Sequence, residues 1–425
     1  MERSKHVAAG LGAYRQILGD PRARAFSAAG LIARLPISMT GLGIVLLISL
    51  TSGSFGRAGL VAAVGTLAGA VAAPLWGQTI DRLGQARVLT IAAIVNSAGL
   101  ALLVISVQLG WPLAVTLFAA LGVGAGFSSA GSAVRARWSH RLRESPLLQT
   151  AFALEAVLDE VVFIVGPVLV TFLATAIHPA LGVSVSAVIG LVGALLLAAQ
   201  RSTQPPPVPR DRTRRPQRLP LAVLLPISVA SLALGAVFGG MEVVVVAFAE
   251  EAGVLPYAGL FITAWSFGSL LAGVATGAIA WRAAAATRFR IGAAALAASL
   301  VPLLFLGSPL PVGALLLLSG MAIAPTLIAT VAVIESSVPT ARLTEALNWN
   351  TTGMAIGLAA GAAVTGHLID LSGSRGGFFA VVGAGVLLVA SALTVRARAV
   401  VSPEPESRDS APVPALPPPA ESPRR

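Results

Sequence analysis

The chain has no cysteine and a single lysine, Lys5, in 425 residues. The missing thiols exclude disulfides, thiolate metal sites and cysteine nucleophiles. The one lysine sits in no glycine-rich phosphate loop, which excludes an ATP-driven pump within this chain. Charged residues make up only 11% of the sequence, against about a quarter in soluble domains. The four histidines (His6, His140, His178 and His367) are scattered without ligand spacing. No metal site and no cofactor are expected. The absence of an HExxH pattern or a nucleophile–base pair argues against a membrane-embedded enzyme.

Apolar residues fill this space: 56% of the chain is hydrophobic, in runs long enough to cross a ~30 Å hydrocarbon layer, which takes ~20 helical residues. Twelve such spans can be drawn. The first six are Ala25–Leu50, Ala58–Trp76, Val88–Gln108, Trp111–Val134, Leu148–Ala176 and Ala180–Gln200. The second six are Leu219–Phe248, Tyr257–Trp281, Phe289–Ser308, Leu310–Ile334, Thr344–Ile369 and Gly376–Arg396. They are read as helices, because an open sheet cannot satisfy its backbone in lipid. Residues 1–24 are polar and carry no cleavable-signal pattern, so the first span is expected to insert the chain and remain.

The net charge of +11 is explained by topology. With the N-terminus in the cytoplasm and the spans alternating, 26 of the 29 basic residues fall on the cytoplasmic side. Arg57 and Arg375 fall outside, and Arg34 is buried. Omitting Arg408, Arg424 and Arg425 as too distant from a span leaves 23 against two. Positive loops stay inside, so this asymmetry supports a multi-pass protein of the cytoplasmic membrane with both termini cytoplasmic. No aromatic-basic platform accompanies the charge, and no nucleic-acid role is expected.

Arg201–Arg218 is rich in proline and arginine and cannot pack a core. The expected domains are a cytoplasmic segment 1–24, a six-helix bundle 25–200, a linker 201–218, a second bundle 219–396 and a disordered tail 397–425. Shifting Leu148–Val170 by 195 residues lays Glu155 on Asn350 and Gly166 on Gly361, as expected of two related halves.

Between the second and third spans lies Gly77-Gln-Thr-Ile-Asp81-Arg82-Leu-Gly84-Gln-Ala-Arg87. Its spacing resembles the loop between helices 2 and 3 of the major facilitator superfamily. That resemblance implies an all-α membrane protein, with twelve transmembrane helices in two pseudo-symmetric six-helix bundles. It also implies a loop that latches the outward-open state. Gly77 is expected to let its span pack closely, and Gly84 to permit the tight turn. Asp81 is expected to accept hydrogen bonds from a helix N-terminus. Arg82 and Arg87 are expected to form ion pairs and to attract anionic lipid at the cytoplasmic face. The equivalent second-half loop, Trp281–Arg290, keeps its bases but loses the aspartate and both glycines. Gly166-Pro167, a helix-kinking pair in the fifth span, is similar to an element of the drug or metabolite:proton antiporters of this superfamily, without their fuller glycine pattern.

Ionisable residues at bilayer depth are functional candidates by default. Arg34 lies ~15 Å into the first span; Glu155 and Asp159 lie ~10 and ~16 Å into the fifth, on one helix face. Arg34 is expected to pair with Asp159 or Glu155 beside a central cavity, one carboxylate exchanging a proton during the cycle. A fixed ion pair locking two helices is the alternative. Glu160, turned ~100° from Asp159, is a third candidate for proton exchange or a helix-packing acid. Glu242, about 23 residues into the seventh span, is placed near the outer end, as an acid that gates the mouth or accepts protons there, or as an ordinary interfacial acid. Asn350 and Asn348 are candidates for hydrogen bonding a substrate or another helix, and Trp265 for stacking on a ligand. Asn96 is read as packing.

The functional expectation is a transporter, using no cofactor, that moves a small amphiphilic compound by alternating access, by resemblance in proton-coupled efflux. Uptake of a nutrient or metabolite by the same fold is the alternative; a receptor or an enzyme is less favoured. Its partners are a small-molecule substrate, protons and the bilayer, and the chain is expected to be monomeric.

Overall fold

A computed structural model describes residues 12–127, 130–207, 221–278, 283–338 and 342–395. Most of the expected linker, part of the second-half loop and the expected tail lie outside the described residues. Among the described residues, eleven helices are long and apolar enough to cross a membrane. The last, Glu345–Thr394, has 50 residues, or ~75 Å of helix at ~1.5 Å per residue. That is over twice a ~30 Å hydrocarbon layer. Its backbone breaks at Ser372 and at Gly373, whose φ is 69°, so it is two spans.

The spans are thus α1 (Pro21–Ser52), α2 (Phe55–Leu83), α3 (Gln85–Gln108), α4 (Leu113–Arg141), α5 (Leu147–Ile177) and α6 (Pro179–Ala199). The second set is α7 (Leu225–Glu251), α8 (Leu255–Thr276), α9 (Ala285–Leu304) and α10 (Pro309–Ser337), with α11 (345–372) and α12 (373–394). Helices α1–α6 pack as one bundle and α7–α12 as another. The expected spans are recovered, with ends that differ by several residues. The largest shifts are in α2, which runs on from Trp76 to Leu83, and in α4, which runs on from Val134 to Arg141. Arginines at a helix end do not break the helix; they only end its apolar stretch.

Small residues allow the close packing. A Cβ on Gly124 would lie 1.9 Å from the Gly65 carbonyl, and one on Gly357 would lie 1.8 Å from that of Leu232. Without a water-driven apolar force between helices, such backbone approach supplies the packing energy. Proline sets local breaks where polar side chains are needed. Pro36 cannot donate to Ile32, and the Leu35 N–H reaches both the Leu31 and Ile32 carbonyls. The helix therefore changes step directly after Arg34.

At its entry, α1 is capped by Asp20, whose carboxylate accepts from the Arg22 N–H at 3.0 Å and pairs with Arg141 of α4. Partial burial alone raises the pKa of Asp20, but the Arg22 N–H and the Arg141 guanidinium outweigh it, and the carboxyl sits below its ordinary range.

Candidate functional site

Arg34 is fully buried and forks across two acids of α5. One guanidinium nitrogen donates to Glu155 at 2.5 Å and the other to Asp159 at 2.6 Å, while Nε donates to the Gly30 carbonyl at 3.1 Å. The spacing of four residues puts both carboxylates on one face of α5, and the planar guanidinium suits such a fork. Glu155 has no exposed surface. Its second oxygen accepts from Ser27 Oγ at 2.6 Å and from the Trp138 indole N–H at 2.8 Å. Asp159 also accepts from Arg135 of α4 at 2.6 Å. Two cations and two anions therefore close a charge-balanced network. Two of its members, Asp159 and Arg135, keep 32% and 43% of their side-chain surface exposed, so the network is exposed at that edge alone.

Glu160 stands beside Asp159 and makes no hydrogen bond or ion pair among the described residues. It shares a helix face with Ile164 and Pro167. The Ile164 carbonyl accepts from Thr263 of α8 at 3.0 Å, and the Pro167 carbonyl abuts Gly259. Glu160 thus lies on the face of α5 that meets α8 of the other bundle. Gly166 serves close contact: a Cβ there would lie 1.9 Å from Ser38 Oγ, which donates to the Val162 carbonyl at 2.7 Å.

Run length places Glu242 near the end of its span, but α7 continues nine residues further, to Glu251. At ~1.5 Å per residue that is ~13 Å of helix. The carboxylate lies over Gly41 of α1, where a Cβ would be 2.5 Å from an acid oxygen. Glu242 therefore sits between the bundles at mid-depth, not at the mouth.

The second bundle repeats the geometry without the charge. Asn350, which takes the register of Glu155, accepts from Ser231 Oγ at 2.5 Å, as Glu155 accepts from Ser27. The 204-residue offset between those serines carries Arg34 onto Phe238. Phe238 packs against Trp265, with ring centroids 4.9 Å apart. Trp265 is buried and its indole N–H meets no acceptor among the described residues. A buried donor left unsatisfied costs ~1–3 kcal/mol. Asn348 is exposed, Phe267 is exposed, and Asn96 donates to the Val123 carbonyl at 2.7 Å.

The bundles meet at the end opposite the Gly77–Arg87 loop. Asp370 of α11 accepts from Ser54 Oγ at 2.8 Å and from the N–H groups of Phe55 and Gly56 at 2.7 and 2.9 Å. Its carboxylate thus caps the positive end of α2. Below it the helix backbones nearly touch: a Cβ on Gly59 or Gly366 would lie 2.2 Å from a carbonyl oxygen across the interface. At the arginine-rich end Trp76 donates to the Ala125 carbonyl of its own bundle at 2.6 Å, and no comparable contact with the other bundle holds α2 among the described residues. Leu75 is 59% exposed, and a Cβ on Gly77 would meet nothing within 4 Å. Asp81, Arg82 and Arg87 are exposed and make no hydrogen bond or ion pair among the described residues. Gly77 therefore makes no close contact in this structure, its position on α2 being exposed. Gly84 does make the turn, at φ 82° and ψ 159°.

Two glycines of one loop should consequently respond in opposite ways. Gly84→Ala forces a side chain into backbone space that is essentially glycine-only, costing ~1–3 kcal/mol. Gly77→Ala, in an open helical position, should raise stability by up to ~1 kcal/mol. Thermal melting of both variants in detergent checks this, and equal shifts would contradict the turn geometry.

Sequence reasoning missed Arg135, Trp138 and Asp370. The Arg-Ala-Arg-Trp run was legible as a charge count for topology, but ending the span at Val134 removed it from the membrane. No spacing signal joins Asp370 to Ser54, 316 residues away.

The sequence matches the Major Facilitator Superfamily over residues 26–322. No curated protein matches it. Among solved structures it is similar to the nucleoside transporter NupG, with a TM-score of 0.71 at 13% identity over 88% of this chain and 99% of that one. It is also similar to the POT family transporter PepTSo, with a TM-score of 0.66 at 13% identity over 88% and 96%. The human organic anion transporter MFSD10 (TETRAN) gives a TM-score of 0.57 at 17% identity over 89% and 100%. With most of the chain inside the family match and the twelve helices arranged as that fold requires, the protein belongs to the major facilitator superfamily and is a membrane transporter rather than an enzyme.

Proposed function

We propose that this transporter exports a small amphiphilic compound across the cytoplasmic membrane in exchange for protons, and that the structure is its inward-open state. The distribution of arginine supports the orientation, because basic loops remain cytoplasmic. In that orientation the Asp370–α2 closure is the outer gate and the Gly77–Arg87 loop lies at the open mouth. Residues 25–200 and 219–396 are then the two bundles that rock about the substrate.

The single observation that carries the coupling is the Arg34–Glu155–Asp159–Arg135 network, charge-balanced and exposed only at its Asp159–Arg135 edge. A cycle that draws Arg135 away from Asp159 leaves a carboxylate at membrane depth short of a partner. Such a charge is costly there, and taking up a proton relieves it. Asp159 is therefore the proton-exchanging group, Glu155 the fixed anchor of Arg34, and Glu160 and Glu242 acids that the other bundle approaches. The Trp265 N–H and Asn350 supply hydrogen-bonding capacity to an otherwise apolar second bundle, which suits an amphiphile better than a sugar. Gly166-Pro167 favours the antiporter branch.

The test uses proteoliposomes with an imposed pH gradient and a panel of fluorescent amphiphiles of positive, zero and negative charge. Gradient-driven movement of at least one class is expected, lost in Asp159→Asn. Movement that ignores the gradient, or a variant that retains full gradient dependence, contradicts the coupling.

A further inference from the structure

Where α3 begins and α6 ends, a cleft of about 430 Å³ opens on the outside of the first bundle. It is lined by Arg87, Thr90 and Ile91 of α3 and by Leu195, Ala198 and Arg201. Sites for small molecules span ~300–1,000 Å³. Arg87 is two residues inside the start of α3, and Arg201 is two residues beyond the end of α6. Both arginines are exposed, and neither makes a hydrogen bond or ion pair among the described residues. Ile91 and Leu195 lie one helical turn or more deeper, ~6–9 Å along their helices. The cleft is thus basic at the rim and apolar below.

The two arginines are held in place rather than loosely arranged. Arg201 opens a short 3-10 turn, Arg201–Thr203, that buried Arg137 fastens from beneath. Arg137 donates to Thr203 Oγ at 2.8 Å and to the Gln200 and Leu197 carbonyls at 3.1 and 3.0 Å. The next residue, Gln204, accepts from the Ala86 N–H at 3.1 Å, which ties the turn to the start of α3 beside Arg87. Its Nε donates to Gln85 of α3 at 2.8 Å, so this buried cation ties the turn after α6 to the start of α3 and fixes where Arg201 stands.

We propose that this cleft binds one anionic phospholipid, its phosphate between Arg87 and Arg201 and an acyl chain over Ile91 and Leu195. Charge complementarity selects the occupant. Two unpaired cations at the water boundary above an apolar groove match a lipid that carries an anionic head and a hydrocarbon tail. A free phosphate ester has no use for the groove, and a zwitterionic lipid brings a cation to the two arginines. The assignment to the cytoplasmic leaflet rests on the orientation proposed above; binding itself does not.

The experiment is native mass spectrometry of the full chain, titrated with palmitoyl-oleoyl phosphatidylglycerol, palmitoyl-oleoyl phosphatidylcholine or glycerol 3-phosphate. Detergent leaves both ends of the protein accessible, and no transport is read, so failure here is distinct from failure of the transport reading. Phosphatidylglycerol should be retained about tenfold better than phosphatidylcholine. The preference should vanish in the Arg87→Gln/Arg201→Gln variant and persist in Arg57→Gln/Arg375→Gln, which removes two charges at the opposite end. Melting in phosphatidylcholine alone shows whether the double variant is folded; if it is not, Arg201→Gln is read on the same scale. Equal retention of the two lipids, unchanged preference in the folded variant, or displacement of phosphatidylglycerol by equimolar glycerol 3-phosphate would each overturn the proposal.

Discussion

Arg34→Ala is expected to destabilise the protein by ~3–5 kcal/mol, the range for removing one partner of a buried ion pair, and to abolish coupled transport. The size follows from what the guanidinium leaves behind. Glu155 has no exposed surface and would keep only the Ser27 hydroxyl and the Trp138 indole as donors. Asp159 would keep Arg135. The cost therefore concentrates on Glu155, and Arg34→Met combined with Glu155→Gln should recover much of it, because an uncharged pair removes the stranded anion. Arg34→Lys should fall between, since an ammonium is a point charge and does not fork across two carboxylates. Thermal melting of the four proteins ranks them: wild type, then the double variant or Arg34→Lys, then Arg34→Ala. A single Arg34→Ala variant as stable as wild type would mean that the network carries little energy. Stability recovered without transport in the double variant separates the structural share of the network from its coupling share.

Gly366→Leu is expected to open the closed end. A Cβ at this position would meet the Phe55 carbonyl at 2.2 Å, and the atom it strikes is backbone, so no rotamer relieves the clash. Overpacking of this kind costs ~1–3 kcal/mol, charged here to one conformation only. A free-energy bias of that size moves a two-state equilibrium about 5–150-fold. The protein should therefore populate the opposite state instead of unfolding. A cysteine introduced at Thr263, on the α5–α8 closure, should react faster with an impermeant maleimide in the Gly366→Leu background. Gly357→Leu is the control. It strikes the Leu232 carbonyl within the second bundle, so it should lower the melting temperature without changing accessibility at Thr263. Equal accessibility in wild type and Gly366→Leu would sink the gate assignment.

The residues that were legible from sequence and those that were not differ for a physical reason. Spans show in sequence because the bilayer acts on every residue of a run at once. Arg34 and Asp159 stand out because charge is rare at that depth, and Gly84 because the turn demands positive φ. Hydropathy marks where lipid ends, not where a helix ends. That difference hid Arg135 and Trp138, which continue α4 past its apolar stretch, and it misplaced Glu242, whose helix runs beyond Phe248. Asp370 and the α2 N-terminus meet only because two bundles close on each other. Such a contact belongs to one conformation, and no local pattern encodes it. Gly77 makes no close contact, its position on α2 being exposed.

The central claim is that the two ends open alternately and that Asp159 links this motion to protons. The cysteine-free sequence allows spin labels to be placed without background, on α2 and α11 at both ends: Arg57 with Leu371, and Leu75 with Asn348. Double electron–electron resonance at acid and alkaline pH then reads both gates in one protein. The account predicts that the two distances change in opposite senses with pH in wild type, and that Asp159→Asn removes the pH response at both ends. Distances that lengthen together, or a pH response unchanged in Asp159→Asn, would contradict it.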